Sequence, residues 1–122
     1  MKLATGVDLV DIERFKETIE RHGERFLRRV FTSQELEEVG SNLTSLAGRF
    51  AAKEAVAKAL GTGIGVISWH EVEVLRGPQR EPQLRLHGAA TRLAGELGLG
   101  EWSLSISHTH THAVAMAVAC GT

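Results

Sequence analysis

The sequence predicts an α+β fold: one domain spanning residues 1–122, with helices mainly in the first half packed on an antiparallel sheet from the second half. Three observations predict it. Between Ile12 and Leu60, apolar residues recur at spacings of three and four, the period of a helix. From Glu71 onward, short alternating or β-prone runs are separated by turn residues, with Pro78 and Pro82 close together. The chain has 122 residues, without internal repeat or low-complexity segment, which matches one domain of roughly 100–150 residues.

Leu3 to Val10 is β-prone and reads as a strand. Asp11 then suits a helix N-cap, followed by Ile12, Phe15 and Ile19 on one face. Gly23 breaks or bends that helix, and Phe26, Leu27 and Val30 continue an apolar face beyond it. Thr32-Ser33-Gln34-Glu35 has the form of a capping box and predicts a short helix over about Ser33 to Val39. Leu43 to Leu60 is rich in alanine and free of proline, and Gly61-Thr62-Gly63 stops it as a C-terminal glycine does. Glu71 to Arg76 and Gln83 to Leu86 alternate with period two around the turn Gly77 to Glu81. Gly88 to Leu97 is helical in pattern, and Trp102 to Ser107 and Ala113 to Ala119 read as strands joined by a turn around His110.

Composition excludes several classes. Apolar residues make up 43% and charged residues 24%, so the chain is not disordered. A formal net charge of −1 argues against a generic nucleic-acid binder. The longest apolar run, Ala113 to Cys120, has 8 residues, short of the roughly 18–20 that span a bilayer. Met1 to Gly6 lacks the pattern of a signal peptide, and the single cysteine, Cys120, forms no internal disulfide. These features predict a cytoplasmic chain without membrane or nucleic-acid partners.

Four features bear on chemistry. Asp8, one of only two aspartates, sits inside an apolar strand, where an unpartnered carboxylate is costly; a local hydrogen bond and a metal or catalytic role both answer that cost. Arg49, Lys53, Glu54 and Lys58 lie on the alanine-rich helix. Glu54 and Lys58, four apart, read most simply as an exposed ion pair. The following Gly61, Gly63 and Gly65 would let backbone amides approach an anion beside Lys58, although no Walker-type Gly-Lys-Ser/Thr follows. His108, His110 and His112 would share a face on a continuous strand, but a turn there splays them, leaving His108 as the functional candidate. Finally, Arg14, Arg21, Arg25 and Arg28 fall within roughly 60° on an ideal helix, away from Ile12 and Phe15. That stripe is either a solvated face or a dock for an acidic partner. Phe15 and Phe26 lie on the core side, leaving no aromatic among the arginines for base stacking.

Together these segments resemble the holo-acyl-carrier-protein synthases, the small trimeric type of 4′-phosphopantetheinyl transferase. The resemblance rests on Gly6-Val7-Asp8-Leu9-Val10, Phe31-Thr32-Ser33-Gln34-Glu35, the long run Leu46 to Gly63 with its Phe-x-x-Lys-Glu-Ala-x-x-Lys core, and Ser105-Ile106-Ser107-His108-Thr109. It covers almost the whole chain. Two departures stand out: a short connection from Glu35 to Leu46, and Gln79-Arg80-Glu81 before Pro82 where an Asn-Gly-Lys type of turn is common. The resemblance implies a homotrimer with active sites between subunits. It implies transfer of phosphopantetheine from coenzyme A to a serine of an acyl carrier protein of lipid or related biosynthesis, releasing adenosine 3′,5′-bisphosphate. It implies Mg2+ held by Asp8 and Glu54, with Lys58 acting on the diphosphate and the departing phosphate, so that Asp8, Glu54 and Lys58 form the catalytic set. Arg49, His108 and Thr109 would hold the coenzyme's phosphates, and Gly63 and Pro82 would line its nucleotide. The arginine stripe would then dock the acidic carrier. The general base stays open between Asp8 or Glu54 acting through a water and a water on the metal. A non-catalytic trimeric module that binds an anion or a carrier protein is the alternative reading, and a buried carboxylate pair beside a phosphate site separates the two.

Overall fold

A computed structural model describes residues 1–122. The elements run β1 (Lys2–Asp11), α1 (Ile12–Val30), α2 (Ser33–Val39), α3 (Leu43–Ala59), a 3-10 turn (Trp69–Glu71), β2 (Val72–Arg76), β3 (Pro82–Leu86), α4 (Gly88–Leu97), β4 (Glu101–His108) and β5 (His112–Gly121). The expected α+β class is what forms. Its strands, however, make two sheets: an antiparallel three-stranded sheet in the order β1-β5-β4, and the separate hairpin β2-β3. The N-terminal strand joins the two C-terminal ones because β5 needs a partner on each edge, and β1 supplies ten paired positions, from Lys2 opposite Gly121 to Asp11 opposite His112.

Alanine decides how α3 meets this sheet. Ala113, Ala115, Ala117 and Ala119 of β5 all face α3 and are buried, as are Ala47, Ala51, Ala52, Ala55 and Ala59 of the helix. Small side chains on both surfaces let the backbones approach closely. A Cβ placed on Gly6 of β1 would overlap the Ala55 carbonyl, and one on Gly48 would lie 2.9 Å from Ile106 Cγ2. Both glycines are therefore contact points, not turn residues. The Asn42 side chain caps α3 by accepting from the Ser45 amide at 2.9 Å, and Gly61, at φ +82°, stops the chain beyond it.

The caps expected at Asp11 and Thr32 form: Asp11 accepts from the Arg14 amide, and Thr32 and Glu35 make a reciprocal capping box. Gly23 does interrupt α1, with φ +60° and ψ −144°. The kink lets Phe15 and Phe26, from the two halves, both reach Phe50 of α3, at centroid distances of 5.2 and 6.2 Å, while Phe50 stacks on Trp69 at 5.0 Å. The other face of the three-stranded sheet has no such cover. Leu3, Val7, Leu9 and Met116 stand 50–69% exposed there. No helix is long and apolar enough to cross a membrane.

Candidate functional site

Two clefts flank α3. The first, about 310 Å³, is lined by Asp8, Asp11, Arg14, Thr18, Phe50 and Glu54 among others, so the strand carboxylate and the helix carboxylate share one opening. Asp8 lies on the face of β1 turned toward α3, because Gly6, Asp8 and Val10 alternate with the outward Val7 and Leu9. Its partner is Lys58: the ammonium donates to Asp8 Oδ1 at 3.1 Å and to the Val7 carbonyl at 2.9 Å. The ion pair expected between Glu54 and Lys58 does not form; Lys58 instead reaches across to the strand, where a backbone acceptor and a carboxylate converge. Glu54 is left beside Asp8 without a hydrogen-bonded cation. Burial first, and then the charge of Asp8, push its carboxyl above the usual carboxylate range, with Lys58 opposing.

Two crowded carboxylates offering only oxygen donors fit a hard divalent cation of the Mg2+ type, which takes one or two protein carboxylates and completes its shell with phosphates and water. Asp11 lines the same cleft, but no cluster of three metal-ligating side chains forms there. A histidine-chelated metal also fails on geometry. His108 ends β4 and His112 starts β5 on either side of a turn, and His112 lies 3.9 Å from Asp11.

The second cleft, about 450 Å³, is lined by Asn42, Ser45, Gly48, Arg49, Arg76, Arg80, Pro82, Ile106 and His108. It brings together Arg49, Pro82 and His108, which are distant in sequence. Arg49 is nearly buried and already engaged, donating to the Val74 carbonyl and to Glu38, each at 2.8 Å. Arg76 and Arg80, from the β2-β3 hairpin, also line this cleft and were not singled out in the sequence. The signal available was the basic turn Arg76-Gly77-Pro78-Gln79-Arg80, but nothing local shows that the hairpin folds back beside α3. Thr109 closes the β4-β5 turn, its hydroxyl accepting from the amides of Thr111 and His112 at 3.2 and 3.1 Å. Gly63, at φ +68°, follows α3 and lines neither cleft.

Counted at 100° per residue, Ser45, Gly48 and Arg49 are centred roughly 170° around α3 from Phe50 and Glu54. The basic cleft and the carboxylate cleft thus lie on opposite sides of one helix.

Lys53 proves structural. With Glu35 it forms a pair at 2.8 Å in which both side chains are 0% exposed, and it donates further to the carbonyls of Trp69 and Val72. Desolvation lowers the Lys53 pKa against the opposing pull of Glu35. Glu35 also accepts from the Thr32 and Val74 amides at 2.8 Å, so the pair is fully hydrogen-bonded and ties α2, α3 and β2 together.

The arginine stripe is not the single line expected. Arg14, Arg21, Arg25 and Arg28 are all exposed, but the non-helical Gly23 interrupts the helix between the first two and the last two. Arg28 pairs with Glu24 at 3.3 Å, whereas Arg14 lies in the rim of the carboxylate cleft.

Residues 4–118 match the family model of the 4′-phosphopantetheinyl transferase superfamily. A Herpetosiphon aurantiacus protein named holo-[acyl-carrier-protein] synthase is 48% identical over 110 residues, covering 84% of this chain and 87% of that protein. The Helicobacter pylori holo-[acyl-carrier-protein] synthase, solved in complex with coenzyme A, superimposes with a TM-score of 0.87 at 31% identity, covering 95% of this chain and 99% of that one. The Neisseria meningitidis holo-[acyl-carrier-protein] synthase gives 0.88 at 34% identity, covering 96% and 97%.

Proposed function

The chain belongs to the 4′-phosphopantetheinyl transferase superfamily, in its holo-[acyl-carrier-protein] synthase family, and on that premise we propose that it moves 4′-phosphopantetheine from coenzyme A to a serine of an apo-acyl carrier protein. In the transfer, the serine oxygen forms a bond to the phosphopantetheine phosphorus as the bond from that phosphorus to the bridging oxygen breaks. The pair of electrons leaves with adenosine 3′,5′-bisphosphate, and the serine proton passes to a base. Phosphoryl transfer asks a protein mainly for positioning and charge stabilisation.

The observation that carries the reading is the Asp8–Glu54 pair beside Lys58, because a module that only bound an anion would gain nothing from two crowded carboxylates at that place. Asp8 and Glu54 would hold Mg2+, which supplies Lewis-acid polarisation of the diphosphate when bound. Lys58 is 51% exposed at its side chain and sits on a flexible stem, so its ammonium can leave Asp8 for the diphosphate and the departing phosphate. Arg49 and His108, with Pro82 beside them, would receive the phosphate-bearing nucleotide in the basic cleft. Thr109, next to His108 in the β4-β5 turn, would support its edge.

Because α3 stands between its own two clefts, one coenzyme molecule meets both sets only if a second copy brings its basic cleft to the first copy's carboxylates. A homotrimer meets this need, and the uncovered face of Leu3, Val7, Leu9 and Met116 supplies apolar surface for it. Arg14 and Arg21, on the rim side of α1, would dock the acidic carrier, with Arg25 and Arg28 set apart by the kink. The reading places the chain in the cytoplasm, among carriers of fatty-acid or related synthesis.

The test is mass spectrometry of an apo-carrier incubated with coenzyme A, Mg2+ and the protein. A gain of one phosphopantetheine group is expected; an unchanged carrier mass, across fatty-acid, polyketide and peptide-synthetase carriers, leaves the binding-module reading.

A further inference from the structure

Three carboxylates line the cleft on the strand side of α3, and two of them are accounted for. Asp8 is bonded to Lys58, and Glu54 crowds against Asp8. Asp11 is the third, standing where β1 ends and α1 begins. Its Oδ1 accepts from the Arg14 amide at 3.1 Å and caps α1. Its Oδ2 accepts no hydrogen bond. The one basic group within 4 Å of that oxygen is the ring of His112, whose Nε2 lies at 3.9 Å, beyond hydrogen-bond reach.

The cap accounts for one oxygen of Asp11 and leaves the other idle. Serine or asparagine would cap the helix about as well. What aspartate adds is a second acceptor with a negative charge, held in a fixed orientation by the cap bond. Nor does Asp11 complete a metal site, since no three metal-ligating side chains cluster here. Arg14, whose amide fixes Asp11, also lines this cleft and belongs to the face proposed to dock the carrier. A carrier seated on Arg14 therefore brings its serine to the side of the cleft where Asp11 stands.

We propose that Asp11 is the general base of the transfer and takes the proton of the carrier's serine hydroxyl on Oδ2. The inference rests on the transfer reading above. In that reading Asp8 and Glu54 turn their oxygens to a dication, which stabilises them as carboxylates and makes them poor proton acceptors. Asp11 is the carboxylate of the cleft with no such duty. As the serine oxygen bonds to the phosphorus, its proton passes to Asp11, which becomes the neutral acid. The bond from phosphorus to the bridging oxygen breaks, and its electron pair leaves with adenosine 3′,5′-bisphosphate. The Asp11 side chain is 44% exposed, so the proton then passes to water and the carboxylate is restored.

The test separates the base from the cap. Asp11→Asn and Asp11→Ser both keep a good capping residue and remove the carboxylate. Single-turnover transfer, with the protein in excess over apo-carrier and the carrier read by mass, should slow by at least about 100-fold in both, the low end of what a positioned base contributes. The KM values for coenzyme A and carrier should stay near wild type, as should the Mg2+ concentration for half-maximal rate and the Tm. Transfer by either variant at near the wild-type rate overturns the assignment. A loss that saturating Mg2+ restores also overturns it, by making Asp11 a metal ligand. A loss that saturating carrier restores makes Asp11 a docking residue instead, and a loss matched by a fall in Tm leaves only the cap. A wild type that transfers nothing to any carrier overturns the transfer reading, and the base with it.

Discussion

Asp8 and Lys58 meet across fifty positions of sequence, at 3.1 Å, with side-chain exposures of 17% and 51%. An ion pair that open contributes under about 1 kcal/mol, so its presence next to Glu54 is better explained by chemistry than by stability. Asp8→Asn and Glu54→Gln should each keep the fold and lose turnover by about 100-fold or more, equivalent to about 2.7 kcal/mol of transition-state stabilisation; near wild-type rates at limiting Mg2+ would remove that residue from the ligand set. Lys58→Ala should depress turnover strongly while thermal melting moves little, and the opposite pattern would make Lys58 structural. A different carboxylate reports on acid stability. Burial would raise Glu73, but the Thr32 hydroxyl at 2.6 Å and His87 at 3.1 Å outweigh it and hold the carboxyl below the usual range. A depressed folded pKa contributes stability that is present above the unfolded value of about 4.3 and is lost as pH falls through the folded one. Chemical denaturation at neutral pH should therefore show the wild type more stable than Glu73→Gln, with the gap closing as pH drops below about 4; a gap that widens in acid would contradict the assigned bonds.

At the scale of elements, α1 is two short helices joined at Gly23, and the proposed docking role falls to the arginines of the first. Opposed charge patches chiefly speed and orient encounter, and their effect fades as salt shortens the Debye length from about 30 Å at 0.01 M to about 8 Å at 0.15 M. Arg14→Glu or Arg21→Glu should raise the apparent KM for carrier several-fold at low salt, with coenzyme A binding unchanged. Reversal of Arg25 or Arg28 should do less, and carrier kinetics insensitive to all four reversals would make the face a solvated one. The course of α1 also shows what a single chain of letters can carry. Caps at Asp11 and Thr32, the break at Gly23 and the stop at Gly61 were all legible, because each is decided within four residues. The buried pair Glu35–Lys53 was not, since capping and helix patterns explain both residues locally while the bonds that bury them come from Trp69, Val72 and Val74. The placement of β1 beside β5 and of Arg76 and Arg80 beside α3 likewise depends on long-range closure that periodicity does not encode. Asp8, Glu54 and Lys58 stand out in the sequence, but the pairing of Lys58 with Asp8 and not Glu54 needed the fold.

On the scale of the whole molecule, α3 separates the carboxylate cleft from the basic cleft, and in the proposed reading these are two half-sites turned away from each other. In the proposed homotrimer, the uncovered sheet face with Leu3, Val7, Leu9 and Met116 would be the surface through which copies close a ring, each completing its neighbour's site. The most direct measurement is carrier modification, read by mass, after two inactive variants are mixed as unfolded chains and refolded together: Glu54→Gln, defective on one side of α3, and His108→Glu, which places a carboxylate in the basic cleft. Each variant alone should leave the carrier unmodified. Sites pairing a sound carboxylate cleft with a sound basic cleft arise by chance in about a quarter of cases in an equal mixture, so about a quarter of the wild-type rate should return. A mixture as inactive as its components, beside a wild-type chain that modifies the carrier after the same refolding, would contradict a site shared between copies.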